Sequence, residues 1–546
     1  MPVLVLFAIG FVLRALFVLA GPDGGASWNI SLQGDAPVWQ DLAQKLARGI
    51  ADEEFKMPWR PPGMQWFVSA LWNGEPAAVG CVRWLFVGIG ASVAPLLWLL
   101  LRGHVDRTVA FAAAALCAVA SNLIVLSSGL HVESLYLALV LVALLLQQQV
   151  VQAGIGIRAL GFAVVLGALH GALCLLRAEH VLTVVVLLPL AKRAGASWLA
   201  LLLTTFAAAG VIAPWQLRAN AMIDAYNAGA PELPRGLLPW DPAAITALRA
   251  LPSFQQMPTF GFVSDAVRVR GGKQVTAADL EIVREAYGCF PEPLPHAFVA
   301  LYGGLNFFLA NTPEADAGFS RTALDRAPAL VGGDARYPPG LRNVLPKGGQ
   351  LAFGYPPHLD AVVHGTSRGL RELTSDPLGG AWRTAKKAWH AIEGMTGGAG
   401  GYALPISLSG TRRQVDLVTA TGGLANLWRV LLLGAAAFGW WQLRRNPALW
   451  PLLAFAATKL VVLLAYFGYA RQGALCLPAF AVGVAAACAP LLRGRVRLGA
   501  ALLLTLVAIE GVRTVTLDGA TVDDQPVTRG EPFGPQDFST RAVRFR

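Results

Sequence analysis

The feature that most limits this chain is a series of apolar runs, each near 20 residues long and almost free of charge. As a helix rising about 1.5 Å per residue, such a run crosses a hydrocarbon core of about 30 Å. A water-soluble fold would have to expose much of that surface, because 55% of the residues are hydrophobic and only 14% are charged. Lipid must therefore be the solvent for much of the chain. The expected fold is an all-α polytopic membrane protein.

Spans are expected at about residues 3–20, 77–101, 108–127, 133–149, 158–175, 180–191, 196–217, 422–441, 447–467, 472–492 and 498–514. The first has no basic stretch before it, and Val18-Leu19-Ala20 only faintly resembles a cleavage site, so it reads as a retained span. Of the six cysteines, Cys81, Cys117, Cys174, Cys289, Cys476 and Cys488, all but Cys289 lie inside apolar spans. There a cysteine acts as a small core residue. No Cys-x-x-Cys or Cys/His cluster points to structural zinc.

Charge then orients the bundle. Alternate connections hold Arg102, Arg107, Arg158, Lys192, Arg193, Arg444, Arg445, Arg493, Arg495 and Arg497, with Asp106 as their only acid. The positive-inside rule places these connections in the cytoplasm. The rest of the chain is nearly balanced, so the net charge of +11 is mostly a topology signal and implies no nucleic-acid partner. The extracytoplasmic side then receives the first loop, 21–76, a long segment, 218–421, of mixed structure, and the tail, 515–546. The spans fall into an N-terminal module, 1–217, and a C-terminal group, 422–514. The apolar run 297–310 is too short for a full crossing, and suits a re-entrant, interfacial or core helix.

Ionisable residues gather on the extracytoplasmic side. Asp35 opens an amphipathic helix whose apolar stripe is Val38, Trp39, Leu42, Leu46 and Ile50. It can cap that helix and stay ionised there. Asp41, six residues on, reads as a solvated face residue. The loop from Lys56 to Phe67 is stiffened by Pro58, Pro61 and Pro62, with Trp59, Trp66, Phe67 and Trp72 as interfacial anchors. Glu133 begins a span, where it can complement the helix dipole or serve a site. Arg177-Ala178-Glu179-His180 interrupts an apolar region at the same level, and Arg177 and Glu179 can satisfy each other. Pro214-Trp215-Gln216-Leu217-Arg218-Ala219-Asn220 ends another span. Tyr466, Tyr469 and Arg471 sit at the end of a later one. Arg14 and Arg218 can snorkel to lipid phosphate. Lys459 falls mid-span and must face the bundle interior. Trp382 and Trp389, seven apart with lysines beside them, suit a helix lying in the interface.

The order of these motifs is an Asp after the first span, a Pro-Pro loop, Glu at a span start, Arg-Ala-Glu, Pro-Trp-x-x-Arg-x-Asn, and a late Arg. It resembles the GT-C superfamily of integral-membrane glycosyltransferases, in its bacterial protein-mannosyltransferase-like and aminoarabinose-transferase-like branch. The resemblance covers nearly the whole chain and is strongest over 1–220. It implies a GT-C-type helix bundle of about 11 spans with Asp35 as catalytic base. It also implies Glu133, Arg177, Glu179, Arg218, Tyr469 and Arg471 as the substrate and donor-phosphate site. The run from Asn306 to Gly318 resembles the family's Asn-rich loop. The chain departs from the pattern at His131-Val132, where a small polar residue usually precedes the Glu, and at Gln472, where a Tyr usually follows the late Arg.

The implied reaction moves a single sugar from a polyprenyl-phosphate donor to an envelope glycan, lipid or protein acceptor, with inversion. It takes place at the extracytoplasmic face of a bacterial cytoplasmic membrane. No metal or other cofactor is required by that scheme, and a divalent metal is left open because some relatives bind one. Two rivals stand beside it. One is a polytopic transporter, which tends to carry polar midplane residues and internal repeats. The other is a lipid-linked glycan ligase or polymerase.

Overall fold

The computed structural model describes residues 1–19, 36–50, 55, 57–75, 78–127, 129–228, 238–315, 320–326, 351, 353–396, 402–403, 418–419, 423–468, 470–492 and 495–516. Asp35 and Tyr469 lie outside the described residues.

The chain begins with α1 (Pro2–Leu19), followed by two short helices, α2 (Ala36–Ala47) and α3 (Gly63–Leu71). The first bundle comprises α4 (Val79–Leu101), α5 (Arg107–Val119), α6 (Ser121–Leu126), α7 (Val132–Ala153), α8 (Ile157–Leu176), α9 (His180–Arg193) and α10 (Trp198–Ala228). The long intervening segment folds as α11 (Pro242–Arg249), α12 (Ser253–Val269), α13 (Glu281–Tyr287), α14 (Tyr302–Asn311), α15 (Pro356–Val363), α16 (Gly365–Ser375) and α17 (Pro377–Met395). Two-residue strands, β1 (Tyr402–Ala403) and β2 (Val418–Thr419), pair antiparallel. The C-terminal group is α18 (Gly423–Leu443), α19 (Trp450–Ala465), α20 (Ala470–Gly473), α21 (Leu477–Leu492) and α22 (Val496–Thr516).

Each of the eleven expected spans is helical. Among the described residues, seven helices are long and apolar enough to cross a membrane. This is an all-α polytopic membrane protein. The remaining expected spans are shorter helices, such as α9 with 14 residues, or fall outside that seven, as α18 does.

Three expectations need correction. The span at 108–127 breaks into α5 and α6 at Ala120, whose backbone is extended. Just past the break, Asn122 Oδ1 accepts from the Leu123 N–H and its amide donates to Gly394 O in α17. A side chain that bonds its own backbone competes with the helix ladder. Second, Pro214 does not end a span, because α10 continues through it to Ala228. Third, Arg14 does not snorkel. It is buried, with Nε donating to Ser127 Oγ at 2.9 Å and NH1 to the carbonyls of Gly10 and Ala118 at 2.9 and 3.2 Å. A serine hydroxyl and carbonyls of α1 and α5 satisfy it without a climb to the headgroups.

The apolar stripe of α2 faces protein at its start, where Val38, Trp39 and Leu42 are buried, while Ile50 at its end is exposed. The opposite side carries the Asp41–Lys45 pair at 2.7 Å, as a solvated face should. The run at 297–310 yields α14, a core helix of the loop segment with Leu305, Phe308 and Leu309 buried. In the C-terminal group α18 and α21 touch backbone to backbone. A Cβ added at Gly439 would meet Gly483 O at 1.8 Å. Small residues at such a crossing are how helices pack where water supplies no hydrophobic drive.

Candidate functional site

The site forms where several helix ends meet on the side of the bundle that carries the long loop segment. Glu133 lies in the first turn of α7. Arg177 is the extended residue that ends α8, and Glu179 the residue that opens α9. Neither Glu179 nor His131, which precedes α7, uses its side chain to cap the helix it opens. Lys459 comes up from α19, and Arg471 and Gln472 come from the short helix α20.

These residues close into one network. Arg177 donates from Nε to Glu179 Oε1 at 2.5 Å, from NH1 to Glu133 Oε1 at 3.4 Å and from NH2 to Gln472 Oε1 at 2.7 Å. All three guanidinium nitrogens thus have an internal partner. The Gln472 amide donates to Glu133 Oε1 at 3.1 Å. Arg471 Nε stands 3.9 Å from the same oxygen. Lys459 Nζ reaches Glu179 Oε1 at 3.5 Å. Glu133 is 2% exposed, and its second oxygen, Oε2, is buried with no hydrogen-bond partner among the described residues.

The charges explain one another. Burial pulls the Arg177 guanidinium down, but the carboxylates of Glu179 and Glu133 more than reverse this and hold it above its ordinary value. Burial pushes the Glu179 carboxyl up, and the charges of Arg177 and Lys459 with the Arg177 hydrogen bond outweigh it, leaving it at about 2. A carboxyl depressed below its ordinary 4.5 adds stability that is complete above that value and is lost as pH falls towards 2. The gap in thermal midpoint between the parent and Glu179→Gln should therefore narrow from pH 6 to pH 3. A gap that stays constant in detergent-solubilised protein would show that Glu179 is not held by these cations.

Beneath the network a ring and two imidazoles extend it into the bundle. Tyr136 lies under both cations, with the Arg177 guanidinium 5.6 Å and Lys459 Nζ 4.5 Å from its ring centre. Its hydroxyl is 2.7 Å from His180 Nδ1, and His180 Nε2 is 3.0 Å from His170 Nδ1. His170 in turn lines a small internal cavity with Gln147 and Thr204. Lys459 is therefore not the only polar residue at depth.

The structure joins Glu133, Arg177, Glu179 and Arg471, and adds Lys459, Gln472 and Tyr136. It does not join Arg218, which is exposed on α10 with no contact to this network among the described residues. The motif around Arg218 has another use. Trp215 Nε1 donates to Val299 O at 2.8 Å, Asn220 Oδ1 accepts from the Ala297 N–H at 3.1 Å, and Asn227 exchanges two bonds with Leu294. The motif clasps the loop segment to α10. In the Asn-rich stretch, Asn311 donates to Ala465 O at 2.9 Å and accepts from Lys387 at 2.8 Å, a brace rather than a site contact. The Gln472 departure is the residue that ties Glu133 to Arg177. Among the described residues no group of three or more His, Cys, Asp or Glu side chains is placed to hold a metal ion.

No protein-family model matches the sequence, and no curated protein does. The chain is similar to several solved structures. The Archaeoglobus fulgidus oligosaccharyltransferase in its apo form shares 13% identity and a TM-score of 0.44, over 94% of this chain and 56% of that one. The same organism's AglB, in complex with an inhibitory peptide and a dolichol-phosphate, shares 14% identity and a TM-score of 0.39, over 94% and 55%. ArnT from Cupriavidus metallidurans bound to undecaprenyl phosphate shares 13% identity and a TM-score of 0.32, over 90% and 78%. The chain spans about half the length of the archaeal structures it matches.

Proposed function

We propose that this chain is a membrane glycosyltransferase that moves one sugar from a polyprenyl-phosphate donor to a glycan, lipid or protein acceptor. Transfer takes place on the extracytoplasmic side of a bacterial cytoplasmic membrane. The observation that carries the reading is the charge of the network. Three cations, Arg177, Lys459 and Arg471, surround two carboxylates at helix ends, in surroundings that exclude most water. An arrangement with one more positive than negative charge suits a lipid phosphate that leaves as an anion.

The roles differ among the cations. Arg177 is fully engaged, so it holds the network's shape, and Arg471 stands at its edge to meet the phosphate. The anomeric carbon loses the phosphate as the acceptor oxygen attacks from the opposite face, which inverts the centre. The acceptor's proton goes to Asp35, the base that the resemblance implies.

A transporter reading draws on one observation, the Tyr136–His180–His170 chain reaching into the bundle. One experiment separates the readings. Purified protein in proteoliposomes is given a radiolabelled polyprenyl-phosphate monosaccharide together with a cell-envelope extract as acceptor. A labelled covalent product is expected. Movement of label across the bilayer without product would favour the transporter, and a product formed only from oligosaccharide donors would favour the ligase or polymerase.

A further inference from the structure

The helix α17 is built inside out. Its outward stripe is Leu378, Trp382, Ala385 and Trp389, with Leu378 86% and Trp382 64% exposed. Arg383 and Lys387 point inward, 6% and 0% exposed, while Lys386 is half-buried beside the stripe with its Nζ over the Trp382 ring. A helix in water does the reverse. Ionisable groups on the protein side and apolar groups on the other are the arrangement of a helix in lipid. Its packing agrees, because α17 lies against α19 and α21, both among the helices long and apolar enough to cross a membrane.

The inward face is fastened to the site's own supports. Gly473 ends α20, and a Cβ there would meet Ala391 O of α17 at 2.3 Å, so the two backbones touch. The two residues before Gly473 are Arg471 and Gln472. One turn back along α17, Lys387 donates to Asn311 Oδ1, and Asn311 donates to the carbonyl of Ala465, the last residue of α19. That helix carries Lys459. Both segments that bring C-terminal groups to the network are thus braced by one helix.

We propose that α17 sits in the bilayer with phospholipid acyl chains on its Leu378–Trp382 stripe, and that this seating positions Arg471 and Gln472 for the donor phosphate. The surface is a lipid contact, and the residues behind it are positioning residues. The second half of the proposal rests on the donor reading given above, while the first half does not.

The test has two arms. A photoreactive benzoyl-phenylalanine is placed at position 378 or 382, and in a third variant at Arg371 on α16, in protein reconstituted with tritiated phosphatidylethanolamine. Lipid adducts are expected at 378 and 382 and not at 371. Adducts to another polypeptide, or no more lipid at 378 and 382 than at 371, would overturn the lipid contact. In the second arm, Leu378→Glu with Trp382→Glu should raise the donor KM about tenfold with kcat within about twofold, since charge at a lipid-facing position unseats a helix. Trp382→Gln, a milder change, should give the same split at smaller size. An unchanged KM in both variants would overturn the coupling. A parent that transfers no sugar strikes the glycosyltransferase reading and leaves the adduct result standing.

Discussion

Replacing Arg177 by methionine should destabilise the protein by about 3–5 kcal/mol and abolish sugar transfer. The guanidinium serves Glu179, Glu133 and Gln472 at once, through all three of its nitrogens. Without it two carboxylates stay at a poorly hydrated helix junction, with Lys459 and Arg471 as the nearby counter-charges among the described residues. Lysine should recover little, because a point charge cannot fill a three-way fork. The decisive comparison is a double-mutant cycle. Glu179→Gln added to Arg177→Met should cost much less than the sum of the single changes, because the second substitution removes the charge that the first left unpaired. Thermal unfolding of detergent-solubilised protein measures each step. Additive losses would mean that the pair does not hold the junction together, and the site would need another centre.

Asp35→Asn should lower transfer by about 10²–10⁴-fold while folding and donor binding persist. The amide keeps the shape of the carboxylate and its ability to accept a hydrogen bond from a helix end, but it takes no proton from an attacking alcohol. Asp35 immediately precedes α2 in the sequence, and the buried Val38, Trp39 and Leu42 anchor that helix to the bundle. Initial rates with labelled donor, together with donor binding by isothermal titration, check both halves of the claim. Full activity in Asp35→Asn would remove it from the chemistry.

Much of this arrangement was legible in the sequence, for reasons that can be named. The apolar runs could only be helices in lipid; each expected span is helical, and seven of the described helices are long and apolar enough to cross a membrane. Glu133 and the Arg177–Glu179 pair stood at the ends of successive runs. Helices of similar length that cross one slab bring those ends to one level, and the network joins them. Packing specifics were hidden. Tyr136 lies inside an apolar run, where a hydroxyl does not disturb the hydropathy pattern. Gln472 read as a departure from a motif, and only its contacts reveal the bridge it makes. Arg14 was expected to climb to the headgroups, but a serine on a separate helix intercepts it. Arg218 was placed at the site by the resemblance, but α10 runs on through Pro214 to Ala228 and leaves Arg218 exposed on its side; a proline within a long helix need only cost it a bond that neighbouring groups make good.

The line of Tyr136, His180 and His170 has a consequence of its own. While both imidazoles are neutral, each carries a single N–H, so it can give on one side only and must receive on the other. The row is therefore polarised, with every proton pointing towards the bundle's middle or every one pointing back. Whatever turns the phenol over at the upper end must turn His170 as well, and the small hollow beside Gln147 and Thr204 then faces a lone pair where it had faced a proton. An event among the charges above would be felt as a reversal of sign several side chains below, with no helix having moved.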